Sequence, residues 1–195
     1  MAAKLIMVSG FAGSGKSSLA DALGKELGMK VIHASSILRE MATKGVKALM
    51  DASPQKIHDW WESDEAKKFM KQRQKDGSLD IALDEKLEKI ADAGNVIMDS
   101  WTMPYLYKGK AFRIWLHASA EVRAKRVCER DQLDFDEVLA KIKSRDAQTK
   151  ELYQRLYQFS MGEDLGRFDL VVDSDALSQK KVFEKALGAV KKWKG

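Results

Sequence analysis

A run of eight residues near the start of the chain has the types and spacing of a phosphate-binding loop. Its members are Gly10, Phe11, Ala12, Gly13, Ser14, Gly15, Lys16 and Ser17. Glycines let the backbone wrap closely around an anion, so that successive N–H groups point at it. A lysine at this place reaches the β- and γ-phosphates of a nucleotide, and the serine hydroxyl binds Mg²⁺. We therefore predict a nucleotide and magnesium site at this loop, and include the following Ser18 in it.

The loop lies between a predicted strand and a predicted helix, the context that this chemistry needs. Residues 4–8 are a short apolar run typical of a buried strand. After the loop, Leu19, Leu23 and Leu27 are spaced four apart, as on one face of a helix, and Gly28 follows as a left-handed C-cap. The alternative, a glycine-rich turn that binds nothing, is disfavoured by this order of strand, loop and helix.

A second strand end carries the next candidate. Residues 95–99 are an apolar run that ends in Asp99, and they are typical of a buried parallel strand. An acid at such a strand end holds a magnesium-bound water in phosphate-loop enzymes. We predict that Asp99 and Ser17 together hold Mg²⁺.

Three further polar residues have two interpretations each. Arg39 follows a predicted strand at residues 30–33, so it is either a clamp for a second phosphate or a surface arginine. Asp80 and Asp84 share one helix face, where they either accept hydrogen bonds from a base or are merely solvated. The same mostly helical stretch holds Trp60 and Trp61, which we expect to pack between helices.

Three arginines beyond residue 119 are the next candidates. Arg126 and Arg130 are four apart on a predicted helix. Residues 131–157 are charged and helical and include Arg145. This segment is either a mobile cationic flap over a triphosphate, which excludes water and neutralises charge, or a solvated helix pair.

Composition bounds the class of protein. The chain has 195 residues, of which 45% are hydrophobic and 32% charged, so we expect one globular domain. The net charge of +5 suits a protein that handles several phosphates, and we expect neither a nucleic acid nor a membrane as partner. Cys128 is the single cysteine and no signal peptide or membrane span is apparent, so we expect the protein to be cytoplasmic. We also expect it to be a monomer.

The order of these elements resembles that of the nucleoside monophosphate kinases, most of all the compact archaeal cytidylate kinases. The resemblance implies an α/β P-loop NTPase fold of three layers with a five-stranded parallel sheet. It also implies one domain, with a core at residues 1–33, 95–130 and 160–195, a helical acceptor-binding insert at about 34–94 and a helical lid at about 131–159. The stretches that carry it are Gly10 to Ser17, residues 79–84 with 93–97, residues 118–130, residues 142–146 and residues 168–174.

The same resemblance implies phosphoryl transfer from ATP, with Mg²⁺, to a nucleoside monophosphate, above all CMP or dCMP. Lys16 would hold the transferring group, and charge on it would be shielded by Arg126, Arg130 and Arg145. On the acceptor side, Arg39 would orient the phosphate, and Asp80 with Asp84 would read the amino-bearing base. Residues 174–176 would lie near the donor adenine.

Two departures from the family pattern stand out. A Gly-Arg pair usually follows the acid at the third strand end and its arginine contacts the acceptor phosphate, but this chain has Ser100 and Trp101. Trp101 would then stack on the acceptor base or sugar, or else the acceptor is not an ordinary pyrimidine monophosphate. In the lid, Gln148 and Leu152 stand where some members have basic residues. A kinase of the same fold with another small acceptor, and a P-loop ATP-binding regulatory protein, remain as alternatives.

Overall fold

The computed structural model describes residues 4–42, 71 and 73–194. Trp60 and Trp61, and with them much of the expected insert, lie outside these residues. None of the helices in these ranges is long and apolar enough to cross a membrane.

Five parallel strands form a single sheet, as expected from the sequence. The order across the sheet is β2-β3-β1-β4-β5, so β1 lies at its centre. Every pairing is parallel, and the carboxyl ends therefore meet along one edge. The strands are β1 (Leu5–Ser9), β2 (Lys30–His33), β3 (Val96–Asp99), β4 (Phe112–His117) and β5 (Leu170–Asp173).

Seven α-helices surround this sheet in the described part of the chain. Ser119 and Ser178 are N-caps of two of these helices. The side chain of each accepts a hydrogen bond from a backbone N–H in the first turn that follows. A short 3₁₀ turn spans Leu165–Arg167, and residues 73–76 are also helical. The helices are α1 (Lys16–Leu27), α2 (Ala34–Ala42), α3 (Ser78–Ala93), α4 (Met103–Leu106), α5 (Ala120–Asp131), α6 (Phe135–Tyr157) and α7 (Gln179–Lys192).

The two faces of the sheet bury different helices, because successive side chains of a strand point to opposite sides. On β1, Ile6 and Val8 pack in one cluster with residues of α1 and α7. Leu5 and Met7 pack in a second cluster with residues of α2 and α3. The result is the three-layer α/β arrangement that the sequence predicts.

A third cluster, mostly aromatic, supports α6. Tyr105 and Phe159 stack with their ring centres 4.0 Å apart, and Trp115 of β4 is buried beside them. Leu152 of α6 is fully buried in this cluster, with 0% of its surface exposed. The expected lid is thus one 23-residue helix, packed on the core through its apolar side. Its function as a lid stays a prediction.

Candidate active site

The phosphate-binding loop joins β1 to α1 at the carboxyl edge of the sheet. A side chain at Gly10 would collide with the carbonyl oxygen of Leu116, 2.5 Å from an ideal Cβ, so only glycine fits there. Gly13 has a φ of 82° and lies against Arg123, with 3.2 Å between an ideal Cβ and the arginine Cβ. Gly15 is the N-cap of α1 and no side chain caps this end. The first N–H groups of α1 therefore lie beside the loop without a side-chain cap, where they suit an anion.

Lys16, Ser17 and Asp99 lie together at this edge. The Ser17 hydroxyl donates a hydrogen bond of 2.6 Å to Asp99 Oδ2, and Lys16 Nζ is 4.0 Å from Asp99 Oδ1. Burial lowers the pKa of Lys16, against the opposing effect of Asp99, and the nearby Arg145 and Arg123 lower it further. The three side chains thus form the charged end of the site that the sequence predicts.

His33, at the end of β2, connects two carboxylates. Its Nδ1 lies 3.1 Å from Asp99 Oδ2, and its Nε2 lies 3.0 Å from Asp21 Oδ1 on α1. The hydrogen bond to Asp99 raises the pKa of His33, although burial opposes it. Burial works to raise the pKa of Asp99, but Lys16, His33 and Ser17 outweigh it, so this pKa lies below its ordinary value. Asp99 is therefore held as a carboxylate.

Ser17 and Asp99 fit a magnesium ion. Asp99 Oδ1 is buried and accepts no hydrogen bond from any residue that the structure describes, and Lys16 Nζ lies 4.0 Å from it. A buried carboxylate oxygen without a donor suits a cation or a water bound to one. Mg²⁺ typically binds through one or two protein oxygens, its waters and substrate phosphates. Among the residues described, no group of three or more His, Cys, Asp or Glu could hold a metal ion.

A cavity of about 290 Å³ opens beside the loop, between α1 and α7. Arg126 closes one side of it, because it donates to the carbonyl oxygen of Ser14 (3.2 Å) and to that of Ser174 (2.7 Å). Leu19, Leu116 and Phe183 make other parts of the wall apolar. A largely apolar cavity next to a phosphate loop suits a nucleobase, and Ser174 lines it, although the place of the donor adenine stays a prediction. Arg126 lines the same cavity, and its expected contact with the transferring group also stays a prediction.

Arg123 connects the loop to α6, a role that the sequence did not suggest. Its Nη1 donates to the carbonyl oxygen of Ala12 at 3.1 Å, and its Nη2 donates to Asp146 Oδ2 of α6 at 2.5 Å. Its guanidinium also lies 5.3 Å from the centre of the Phe11 ring. The side chain is almost fully buried, so this arginine holds α6 against the phosphate-binding loop.

Two of the predicted arginines face other partners. Arg130 leaves 71% of its side chain exposed and pairs with the adjacent Asp131. Arg39 donates to the Ser35 carbonyl (3.2 Å) and to Ser36 Oγ (3.0 Å) within its own helix α2. Their expected phosphate contacts stay predictions.

Trp101, just beyond β3, is surrounded by cations. Lys16 Nζ lies 5.7 Å from the ring centre, and the guanidinium carbons of Arg73 and Arg145 lie 5.9 and 5.5 Å from it. Tyr153 meets the ring edge-on with 6.4 Å between centres. Trp101 thus lies next to Lys16, Arg73 and Arg145, and the expected contacts of Trp101 with the acceptor and of Arg145 with the transferring group stay predictions.

Asp80 and Asp84 are both buried and hydrogen-bonded to protein. Asp80 accepts from Arg73 through both oxygens, at 2.7 and 2.6 Å, and from the Tyr153 hydroxyl at 3.3 Å. Asp84 accepts from Thr102 (2.5 Å) and Tyr157 (2.6 Å). Burial raises the pKa of Asp84 to about 6. Each carboxylate oxygen therefore already has a protein donor, and their contact with a base stays a prediction.

Sequence reasoning missed Arg73, Tyr153 and Tyr157, which are all at this site. Arg73 lies in the run Lys71 to Lys75, where charged residues have no spacing that distinguishes one from the others. The tyrosines lie on the charged helix α6. Each tyrosine directly follows a leucine, Leu152 or Leu156, and the two pairs are four residues apart. This spacing is a signal that the helix buries one face.

Comparisons with known proteins agree with this geometry. The model of the cytidylate kinase-like family matches residues 5–176. The cytidylate kinase of Pyrococcus abyssi is 30% identical over 179 residues, covering 92% of this chain and 89% of the relative. That of Pyrococcus horikoshii is 28% identical over 179 residues, covering 92% and 84%.

Solved structures give the same fold at low identity. A shikimate kinase from Bacteroides thetaiotaomicron has a TM-score of 0.57 at 15% identity, covering 97% of each chain. A gluconokinase from Sinorhizobium meliloti 1021 has a TM-score of 0.56 at 19% identity, covering 96% of this chain and 91% of the other. These likenesses show the P-loop kinase fold alone. With the family match over most of its length, the chain belongs to the cytidylate kinase-like family.

Proposed function

We propose that this protein transfers the γ-phosphoryl group of ATP to CMP, or to dCMP. The proposal is carried by one observation, the meeting of Lys16, Ser17 and Asp99 at the phosphate-binding loop of a cytidylate kinase-like chain. Relatives that cover about nine tenths of the chain are named cytidylate kinases, which supports CMP as the acceptor.

The loop and its surroundings would hold the donor. The backbone N–H groups from Gly10 to Ser18 cradle the phosphates, and Lys16 supplies a positive charge to the transferring group. The adenine enters the cavity next to Arg126 and Ser174. Mg²⁺, held through Ser17 and Asp99, would neutralise charge on the β- and γ-phosphates.

Position and charge neutralisation carry the rest of the reaction, because phosphoryl transfer needs no covalent enzyme intermediate. Arg145 approaches from α6 and adds a second positive charge near Lys16. The packing of α6 over the loop, through Arg123 and Asp146, excludes water that would otherwise accept the phosphoryl group. We further propose that Arg130 and Arg39 turn toward phosphates when nucleotides bind.

The test is a coupled assay of ADP formation with ATP, magnesium and a panel of acceptors. CMP, dCMP, UMP, AMP and GMP are compared by kcat/KM, with Lys16→Ala prepared in parallel to measure contaminating kinases. The proposal expects CMP or dCMP to give the highest value. Turnover of another acceptor in place of both would favour the same-fold kinase of different specificity, an alternative that Trp101 motivates. ATP binding with no turnover of any acceptor would favour the regulatory protein.

The lone Cys128 fits a reducing compartment, so we propose that the enzyme works in the cytoplasm. We also propose that it is a monomer. Light scattering at assay concentration tests this, and a mass of about 44 kDa in place of 22.0 kDa would contradict it.

A further inference from the structure

Three cations from separate parts of the fold meet around Trp101. Lys16 comes from the phosphate-binding loop, Arg73 precedes α3, and Arg145 lies on α6. An aromatic ring attracts each of them. Like charges that are brought together repel one another, and burial strengthens the repulsion. A cluster of this kind is stabilised by a polyanion, and a second phosphate next to the γ-phosphate is such a ligand.

The pKa of Arg145 is lowered at this place in the fold. Burial lowers it from its usual value, and Arg73 lowers it further, against the effect of Asp146. Asp99 pairs with Lys16 and Asp80 with Arg73, and these two acids already accept from His33, Ser17 and Tyr153 as well. An anion that binds next to Trp101 would therefore gain from all three cations.

One edge of the Arg73 guanidinium is hydrogen-bonded to protein, and the other edge has no hydrogen-bond partner among the residues that the structure describes. Its Nε and Nη2 donate to the two oxygens of Asp80, and Nη2 also donates to the Tyr153 hydroxyl at 2.9 Å. Only 4% of the side chain is exposed. Its Nη1 makes no hydrogen bond to any residue that the structure describes, so two N–H donors remain for a ligand.

We propose that Arg73 binds the phosphate of the acceptor and that Asp80 and Tyr153 are its positioning residues. The inference rests on the proposed function, and it assigns the acceptor phosphate to the space between Lys16 and Arg73, along Trp101. Arginine binds phosphate through a planar fork of N–H donors, and a fork already held on one edge loses little entropy when it does so. Asp80 then serves the acceptor phosphate through Arg73 and does not read the base.

The test compares CMP and cytidine binding in Arg73 variants. Arg73→Lys keeps the charge next to Asp80 but loses the fork. By calorimetry, we expect its Kd for CMP to rise about tenfold to a hundredfold, whereas the Kd for ATP changes less than about twofold. Cytidine, which lacks the phosphate, should inhibit wild type and variant equally. Arg155→Met is the matched control, because Arg155 bonds the Gln74 carbonyl between the same segments but is not at the Trp101 ring.

Removal of Arg73 alone would leave Asp80 buried and unpaired, which threatens folding. The double variant Arg73→Met/Asp80→Leu avoids this, and its unfolding curve confirms that it is folded. We expect a raised KM for CMP and an unchanged KM for ATP. In Asp80→Asn, a role confined to stability would lower only the free energy of unfolding, whereas positioning of Arg73 also raises the KM for CMP.

Unchanged CMP binding in Arg73→Lys, or a wild-type KM for CMP in the folded double variant, would overturn the assignment. If the wild type uses a different phosphorylated acceptor, the proposed function fails separately. The Arg73 comparison is then decided on that acceptor, because the contact is with the phosphate and not with the base.

Discussion

Ser17 and Asp99 are joined by a hydrogen bond of 2.6 Å, although 82 residues of chain separate them. The parallel pairing of β1 with β3 makes this contact possible, since it brings Val8 next to Asp99 and so places the loop beside the end of β3. The hydrogen bond occupies Oδ2 and leaves Oδ1 buried without a donor.

Asp99→Asn should weaken the dependence on magnesium more than nucleotide binding. The amide keeps the shape of the side chain but not the charge that organises the metal and its waters. We expect the magnesium concentration for half-maximal rate to rise about tenfold or more, with the Kd for ATP in the absence of metal nearly unchanged. Asp92→Asn, on the exposed side of α3, is the control. A magnesium titration identical to that of wild type would contradict the role of Asp99.

Lys16→Ala should abolish most of the activity while the fold survives. Lys16 lies in the loop and not in one of the apolar clusters, so its loss removes a charge from the site and no packing from the core. We expect kcat to fall by about a hundredfold or more, with circular dichroism and the unfolding temperature near those of wild type. Lys25→Ala, at an exposed position on the same helix, should keep full activity. Retention of most of the activity in the Lys16 variant would mean that the loop does not carry catalysis.

Arg123 and Asp146 should show strong coupling in a double-mutant cycle. Arg123→Met removes a buried cation with three hydrogen-bonded partners, Ala118, Ala12 and Asp146, so we expect a loss of about 3–5 kcal/mol in the free energy of unfolding. Asp146→Asn should cost less, and the coupling energy should be about 1–3 kcal/mol. The exposed pair Lys180 and Glu184 is the reference, with an expected coupling below about 0.5 kcal/mol. The coupling energies are measured by denaturant unfolding. Equal coupling in the two cycles would contradict the inference that Arg123 holds α6 against the phosphate-binding loop.

Asp84 should make the protein less stable as pH rises from about 4 to about 6. Its pKa is raised to about 6 in the folded state from 3.8, so the folded protein holds a proton that the unfolded chain releases in this range. The free energy of unfolding should therefore fall by up to about 3 kcal/mol across it. Asp84→Asn should remove this fall, whereas Glu85→Gln, at an exposed neighbouring position, should keep it. An unchanged pH profile in Asp84→Asn would contradict the assignment.

Trp101→Ala should impair the acceptor more than the donor. The ring is the common contact of three cations, and its loss lets them separate. We expect the KM for CMP to rise about tenfold and that for ATP to stay within about twofold. Addition of CMP should change the tryptophan fluorescence of the wild type but not that of Trp101→Ala, with Trp193→Phe as the control at the far end of the chain. Equal effects on both KM values would place Trp101 in the packing alone.

Local patterns predicted most of the fold. The short runs at residues 4–8, 30–33 and 95–99 predicted β1, β2 and β3 to within one residue of their observed starts, because a buried parallel strand is a continuous apolar stretch. The spacing of Gly10, Gly15 and Lys16 predicted the loop, and Asp99 followed from its place at a strand end. Each of these signals is contained within about ten residues of sequence.

Contacts between distant segments were not predictable in this way. Arg73 meets Tyr153 across 80 residues, and Asp84 meets Tyr157 across 73, with no periodic pattern to connect them. Leu152 is instructive, since the family pattern suggested a basic side chain at that position. In the fold it is enclosed by Trp115 and Met161, where a charge could be neither solvated nor paired.

The attachment of α6 has a consequence for how the enzyme would open. Asp146 of this helix pairs with Arg123, which bonds the phosphate-binding loop. Tyr153 bonds Arg73 and Asp80, and Tyr157 bonds Asp84 of α3. Helices α6 and α3 therefore share hydrogen bonds with each other as well as with the core. Opening of either one alone would break bonds that the other needs, so we expect them to part as a unit. Donor and acceptor would then bind with positive cooperativity, each tightening the hold on the other.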